Sequence, residues 1–300
     1  MFEELRTFLE VAESKSFTKT AKKLNFSQPT VSQHVKKIEI YFNNITLLTR
    51  SASTKQIELT EEGLTVYRRG KEILDLLDRT FEELEELQEA GAQTLRVGTS
   101  MTIGNCLLPK VLKVFSRQHP EVKLRVTIDN TYEIAELLSR EQIDIGLIEG
   151  KEIAHNFKRV DFLTDNMILV AAPEIAAQFP EFSASQLGKM LWITREKGSG
   201  TEQYLKGFIE SNYIKVENKI EYNSNFAIKE VVREGLGVTF ISQLVVNDEL
   251  KSGELRKLPI NKEYPRKLSY ILPEEKTVTQ TVQGFLDALL QVSQAVEFHP

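Results

Sequence analysis

The hydrophobic rhythm of this 300-residue chain changes once, near residue 90, and that change limits the architectures open to it. Ahead of it, apolar residues recur at helical spacing, as Leu5, Phe8, Leu9 and Ala12 do at i, i+3, i+4 and i+7. Beyond it, short apolar runs alternate with helical patterns. LRVGT (95–99), VKLRVTI (122–128), IDIGLIE (143–149), NMILVAA (166–172), LWIT (191–194), GVTFIS (237–242) and KLSYIL (267–272) read as strands. Helices are predicted over about 104–117, 131–140, 201–212, 224–234 and 277–293. The chain is therefore expected to be an α+β multidomain protein whose C-terminal part is α/β with largely parallel strands. That part is longer than one compact half needs, so two lobes are expected within it.

The N-terminal part divides further. A helix over Phe2–Ser14 is followed by a short one over 17–24, capped by Ser16. Asn25 and Phe26 make a turn, Asn being tolerant of left-handed backbone. Ser27 then caps a third helix with Pro29 in its first turn, where a missing N–H costs little. Two helices joined by so short a turn are a helix-turn-helix. At about 100° per residue, Val31, Val35 and Ile38 fall on one side of the third helix and must be its buried stripe. The opposite side is centred on Gln33 and flanked by Pro29, Thr30, Ser32, Lys36 and Lys37, with no carboxylate, and Ser27 and Gln28 at the start of the helix join them as candidates for DNA contact. Amides and hydroxyls read base edges and ammonium groups neutralise phosphates, so this face suits duplex DNA. His34 on the same helix is open to two readings, a packed ring or a phosphate contact. Residues 47–50 and 55–59 read as two strands around a Ser/Thr turn, a wing with Arg50 and Lys55 placed for backbone contact.

Charge supports the same division. The net charge of −5 argues against nucleic acid, but Lys15 to Lys37 hold six lysines and no acid. Residues 59–90 hold ten acids and four bases. Only the local field matters to a phosphate. In this acidic stretch Thr60 caps a long helix to about Ala90. Tyr67, Leu74 and Phe81 recur every seven residues with Leu77 and Leu84 in the companion position, interrupted by Gly63 and Gly70. A seam this narrow predicts a two-stranded coiled coil, although packing against its own domain would use the same residues.

In the α/β part, hydroxyls gather where strands give way to helices. Thr99, Ser100, Met101 and Thr102 follow the first strand; Thr131 opens another helix; Glu149 ends a strand; Arg195, Ser199, Gly200 and Thr201 form a glycine loop into a helix. Asn225 and Phe226, which open the 224–234 helix, are further pocket candidates. Ligands of open α/β sheets sit at such strand ends. Each hydroxyl taken alone reads as a helix cap; with the free backbone N–H groups of the helix starts and Arg195, they suit a small anion or carboxylate. Cys106 lies beside Leu107 and Leu108, which favour an inert thiol over an oxidant sensor.

The segment SFTKTAKKLNFSQPTVSQHVKKIE (16–39) resembles the helix-turn-helix of LysR-type transcriptional regulators, above all in Ser27-Gln28-Pro29-Thr30-Val31-Ser32. LTEEG (59–63) is similar to the start of that family's linker helix, and the likeness continues through LRVGTS (95–100), LLP (107–109), FSRQHPEVKLRV (115–126), IDIGLIEG (143–150), REKGSGT (195–201) and VREGLGVTFIS (232–242). It departs at Asn43-Asn44, where the family usually has glycine. The resemblance implies a winged helix-turn-helix over 1–60, a linker and dimerisation helix over 61–90, and a two-lobed effector domain over 91–300 like periplasmic binding proteins. Lobe I would take about 92–163 and 266–300, and lobe II about 164–265. It further implies double-stranded operator DNA, a small-molecule co-inducer between the lobes, assembly as a dimer of dimers, and contact with RNA polymerase.

Other classes find no support in the residues. Histidines 34, 119, 155 and 299 are scattered, no metal-ligand spacing is present, and the GSG at 198–200 lacks the Gly-Lys-Ser/Thr of a P-loop. No enzyme, cofactor or metal is expected. No apolar run reaches the roughly 20 residues needed to span a bilayer, no secretory signal opens the chain, and one cysteine cannot form an internal disulfide. A cytoplasmic protein is expected.

Overall fold

The computed structural model describes residues 1–50, 57–88, 94–150, 156–274 and 277–296. Two compact units divide the chain, Met1–Ala90 and Gly91–Pro300.

In the first unit α1 (Phe2–Ser14), α2 (Phe17–Lys23) and α3 (Gln28–Tyr41) are followed by β1 (Leu48–Arg50), β2 (Ile57–Leu59) and α4 (Glu61–Gln88). Left-handed residues punctuate the helices, Lys15 after α1 and Asn25 between α2 and α3. Asn43 and Asn44 also have φ near +60°, at 60° and 61°, so the asparagines adopt the backbone that glycine would otherwise supply. β1 and β2 are antiparallel with Thr49 opposite Glu58. The core joins Leu5, Phe8, Leu9 and Val11 of α1 to Ala21, to Val31, Val35 and Ile38 of α3, and to Leu47, Ile57 and Leu74.

The long helix splits its heptad seam. Leu74 is buried in this core and Tyr67 packs against it, whereas Phe81 and Leu84 are 58% and 49% exposed. The glycines that interrupt the seam permit the approach. A Cβ on Gly63 would lie 2.0 Å from the Leu47 carbonyl oxygen, and one on Gly70 would lie 3.0 Å from a Leu5 methyl. The first half of the seam thus belongs to its own domain, and Phe81 and Leu84 of the second half are exposed apolar surface among the described residues.

The second unit contains β3 (Thr94–Ser100), α5 (Met101–Cys106), α6 (Leu108–Gln118), β4 (Lys123–Asp129), α7 (Thr131–Ser139), β5 (Ile145–Glu149), β6 (Phe157–Ala171), α8 (Pro173–Ala176), α9 (Ala184–Lys189), β7 (Leu191–Arg195), α10 (Gly200–Ser211), β8 (Asn218–Tyr222), α11 (Asn225–Arg233), β9 (Val238–Ser242), α12 (Gln243–Ser252), β10 (Arg256–Lys257), β11 (Pro265–Pro273) and α13 (Gln280–Gln294). Its strands run in the order β4-β3-β5-β11-β6-β9-β7-β8, with β10 on β6. β6 serves two halves, pairing first with β11 and then with β9. One half packs α6 and α13 on the sheet around Phe115 and Phe285, and the other surrounds Trp192, Phe208 and Phe240.

The expectation of largely parallel strands needs correction. β3 runs parallel to β4 and β5, and β7 parallel to β8 and β9, but β11 is antiparallel to both β5 and β6, and β6 to β9. Long strands that pass from one half to the other and return must run in opposite senses. The helix expected over 104–117 is two helices, because Pro109 restarts it without an N–H to give. β8 escaped the sequence reading because Asn218–Glu221 are all exposed, so it shows no alternation of apolar and polar residues.

Candidate nucleic-acid interface and effector site

In the N-terminal unit, the turn before α3 is built by caps. Ser16 accepts from Lys19 N, and Ser27 accepts from Thr30 N at 3.2 Å, which leaves α3 starting cleanly at Gln28 with Pro29 in its first turn. Val31, His34, Val35 and Ile38 face inward. His34 Nδ1 lies 2.9 Å from Thr7 Oγ1 and its ring meets Phe26 edge-on at 5.2 Å, which makes it a packed ring and removes it from any DNA surface.

Outward stand Ser27, Gln28, Pro29, Ser32, Gln33, Lys36 and Lys37, with Thr30 half-buried and its hydroxyl 2.7 Å from that of Ser27. Lys37 is not disengaged, since its Nζ is 3.1 Å from Glu4 Oε1. The Glu4 carboxyl is lowered to about 2, first by its hydrogen bond from the N-terminal ammonium and then by Lys37. Among the described residues no ion pair involves Lys36. Glu39, the first acid on α3, points away from this face and accepts from Leu47 N at 2.9 Å, tying the helix to the wing. Arg50 ends β1, its side chain outside the described residues, as is the whole of Lys55.

In the C-terminal unit, strand ends meet around one carboxylate. Ser100 precedes α5 without capping it, because its hydroxyl donates to Glu149 Oε2 instead. Thr102 donates to Glu149 Oε1 at 3.0 Å, and Thr131 donates to the Glu149 carbonyl at 2.7 Å. Gly200, at the start of α10, has no room for a side chain, since a Cβ there would lie 2.5 Å from both Cγ and the carbonyl oxygen of Glu149. Ser199 caps α10 by accepting from Thr201 N. Thr201 Oγ1 accepts from Arg266 Nη1 at 3.1 Å.

Arg266 is the centre of this network and is wholly buried. Its Nη2 is 2.6 Å from Asp165 Oδ2 and its Nη1 is 3.4 Å from Glu149 Oε1. Burial works against its charged form, yet the Glu149 and Asp165 carboxylates hold its pKa above the ordinary arginine value. Arg195 donates to Asn225 Oδ1 at 2.6 Å and grips Glu196 with two bonds of 2.7 and 2.8 Å. Asn225 Nδ2 completes the circuit to Thr102 at 3.3 Å.

The structure therefore brings Ser100, Thr102, Thr131, Glu149, Arg195, Gly200 and Thr201 into one buried cluster, with Ser199 capping its helix. Met101 is half-buried beside it. Thr99 stays out, its hydroxyl donating to the Ser100 carbonyl. Phe226 stays out as well, 63% exposed, because successive helical residues point about 100° apart and its neighbour Asn225 takes the inward place. Sequence reasoning named Asn225 beside Phe226 but missed Arg266 and Asp165. The one signal of those two was a charge at the edge of an apolar run, and nothing local pairs Arg266 with a carboxylate 101 residues away. Cys106 is partly buried, and burial, seconded by Asp165 and Glu149, pushes its thiol up to about 11, so it stays protonated at neutral pH.

Known proteins align with both units. The family described as "Bacterial regulatory helix-turn-helix protein, lysR family" matches residues 2–64, and the "LysR substrate binding domain" matches residues 88–294. Among relatives, the HTH-type transcriptional regulator CysL of Bacillus subtilis is 37% identical over 276 residues, 90% of each chain. Among solved structures, full-length CbnR complexed with its target DNA covers 97% of this chain and 99% of its own, with a TM-score of 0.69 at 18% identity. The regulatory domain of CcmR from Synechocystis PCC6803, in complex with 2-PG, covers 67% of this chain and 98% of its own, with a TM-score of 0.60 at 24% identity.

Proposed function

This chain belongs to the LysR family of bacterial transcriptional regulators, and we propose that residues 1–60 grip operator DNA, residues 61–90 pair chains into dimers, and residues 91–300 bind a small anionic metabolite that controls the outcome. It is a regulator and not an enzyme. The observation that carries the reading is the outward face of α3, where Gln28, Ser32, Gln33 and Lys36 stand exposed with no carboxylate among them. Such a face enters the major groove with its amides toward base edges, while lysines settle on phosphates. Ser27, Thr30, Lys37, Arg50 and Lys55 supply backbone contacts at its margins.

Exposed Phe81 and Leu84 on α4 support a helix pair between chains, and two such dimers would match a tetramer on dyad-related half-sites. The effector site is the cluster around Ser100, Thr102, Thr131, Glu149, Arg195 and Thr201, where ligand would be held between lobe I (about 92–163 and 266–300) and lobe II (about 164–265). A ligand there biases the angle between lobes and so the spacing of the DNA-binding units, which in turn changes access of RNA polymerase. No helix among the described residues is long and apolar enough to cross a membrane, in keeping with a cytoplasmic site of action.

A gel-shift titration against DNA upstream of the chain's own gene tests this. Binding should be specific and fall steeply with salt. Indifference to that DNA and to random duplex alike, at low salt, overturns the regulator reading. For the cleft, Thr201→Val should remove the response to effector, read as a metabolite-dependent change in operator footprint; an unaltered response would move the site elsewhere.

A further inference from the structure

A cradle of hydroxyls and a guanidinium, offered to an anion, has no electrostatic use for a carboxylate, yet Glu149 lies in the middle of this one. Ser100 and Thr102 spend their hydroxyl donors on it, and its side chain is 2% exposed. Glu149 and Asp165 together face one cation, Arg266, while Arg195 is matched by Glu196. The cluster thus holds one carboxylate beyond what its cations balance. Asp165 Oδ1 is buried and has no hydrogen-bond partner among the described residues. Surplus acceptors in a dry site call for a donor hydrogen, not for another bare negative charge.

We propose that Glu149 is the specificity-determining residue of the effector site, selecting small oxyanions that keep a protonated oxygen at neutral pH and rejecting those of the same shape that have none. The inference rests on the effector-site reading above and names its ligand class. When the ligand enters, a protonated oxygen donates to Glu149 in place of the Ser100 and Thr102 hydroxyls, which turn with Thr201 and Arg266 toward the ligand's other oxygens. An aprotic oxyanion instead sets its lone pairs against those of a fixed carboxylate. A site built to hydrogen-bond a particular donor discriminates steeply against analogues that lack it, by up to about 10⁴–10⁵-fold in closed sites. A carboxamide at this position, which can donate as well as accept, would erase the distinction.

The probes are inorganic phosphate and sulfate, both tetrahedral, of which only phosphate carries an O–H at pH 7. Calorimetric titration of the full-length protein should give phosphate at least about 100-fold tighter than sulfate. Glu149→Gln should bring sulfate within about tenfold of phosphate, and Glu149→Asp should retain the preference. Should Glu149→Gln fail to fold, the wild-type ranking of phosphate and arsenate above sulfate and selenate still decides. Equal wild-type affinities, binding of neither anion, or a preference that survives Glu149→Gln overturns the inference. Any of these with salt-sensitive operator binding intact sinks the ligand class alone; loss of operator binding by the wild type sinks the regulator reading instead.

Discussion

The outward face of α3 and the cluster around Arg266 draw on the same side-chain chemistry, hydroxyls, amides and cations, and put it to opposite use. On α3, Gln33 and Lys36 stand exposed to water, with no partner among the described residues. Around Arg266, nearly every polar group is already spent on another residue of the chain. Lysines destined for phosphates must stay hydrated until DNA arrives, because affinity comes from counterions released at that moment. A guanidinium sealed from water has to be matched at once, because an uncompensated buried charge is prohibitive. Substitutions on the two surfaces should therefore fail differently, on α3 through binding and at Arg266 through folding.

Arg266→Met should have the largest effect, destabilising the C-terminal unit by about 3–5 kcal/mol because Glu149 and Asp165 lose their cation. The lone tryptophan, Trp192, is buried in that unit, so its fluorescence in denaturant reports the loss directly. An unchanged midpoint would mean the cluster is far wetter than its burial implies. Next in size, Gln33→Ala should weaken operator binding by about 1–3 kcal/mol while hardly touching random duplex. Equal losses on both DNAs would deny it a base contact.

Ser27→Ala should remove a cap worth about 1 kcal/mol and speed hydrogen exchange at the start of α3, including the Thr30 amide. Slow exchange there in the variant would show the helix to be held by packing alone. Smallest is the contrast between two neighbouring lysines. Lys36→Ala should flatten the salt dependence of DNA binding by about one counterion. Lys37→Ala should flatten it less, its ammonium being shared with Glu4. The reverse order would mean that the Glu4 pair opens freely on DNA.

Local rules went far in the N-terminal unit. Ser16 and Ser27 mark helix starts by accepting from amides three positions on, and Asn25 marks the turn between them by its left-handed backbone, so α1, α2 and the start of α3 could be read within a residue or so. The acid-free face of α3 follows from helical period alone. The heptad seam was only half legible, since Tyr67 and Phe81 look alike in sequence while one packs at home and the other does not. Strand direction was harder still, because β6 and β11 carry the same apolar signal whichever way they run.

What the amino-acid sequence determined by itself was the family, carried by the order of its motifs, and the division at residue 90 and the acid-free outward face of α3, which are set by periodicity and by contacts within a turn or two. What only the tertiary structure decided was the partner of each buried charge. Arg266 meets Asp165 and Glu149 across long stretches of chain because burial forbids a lone ion, and that constraint acts on the folded neighbourhood and not on the order of residues.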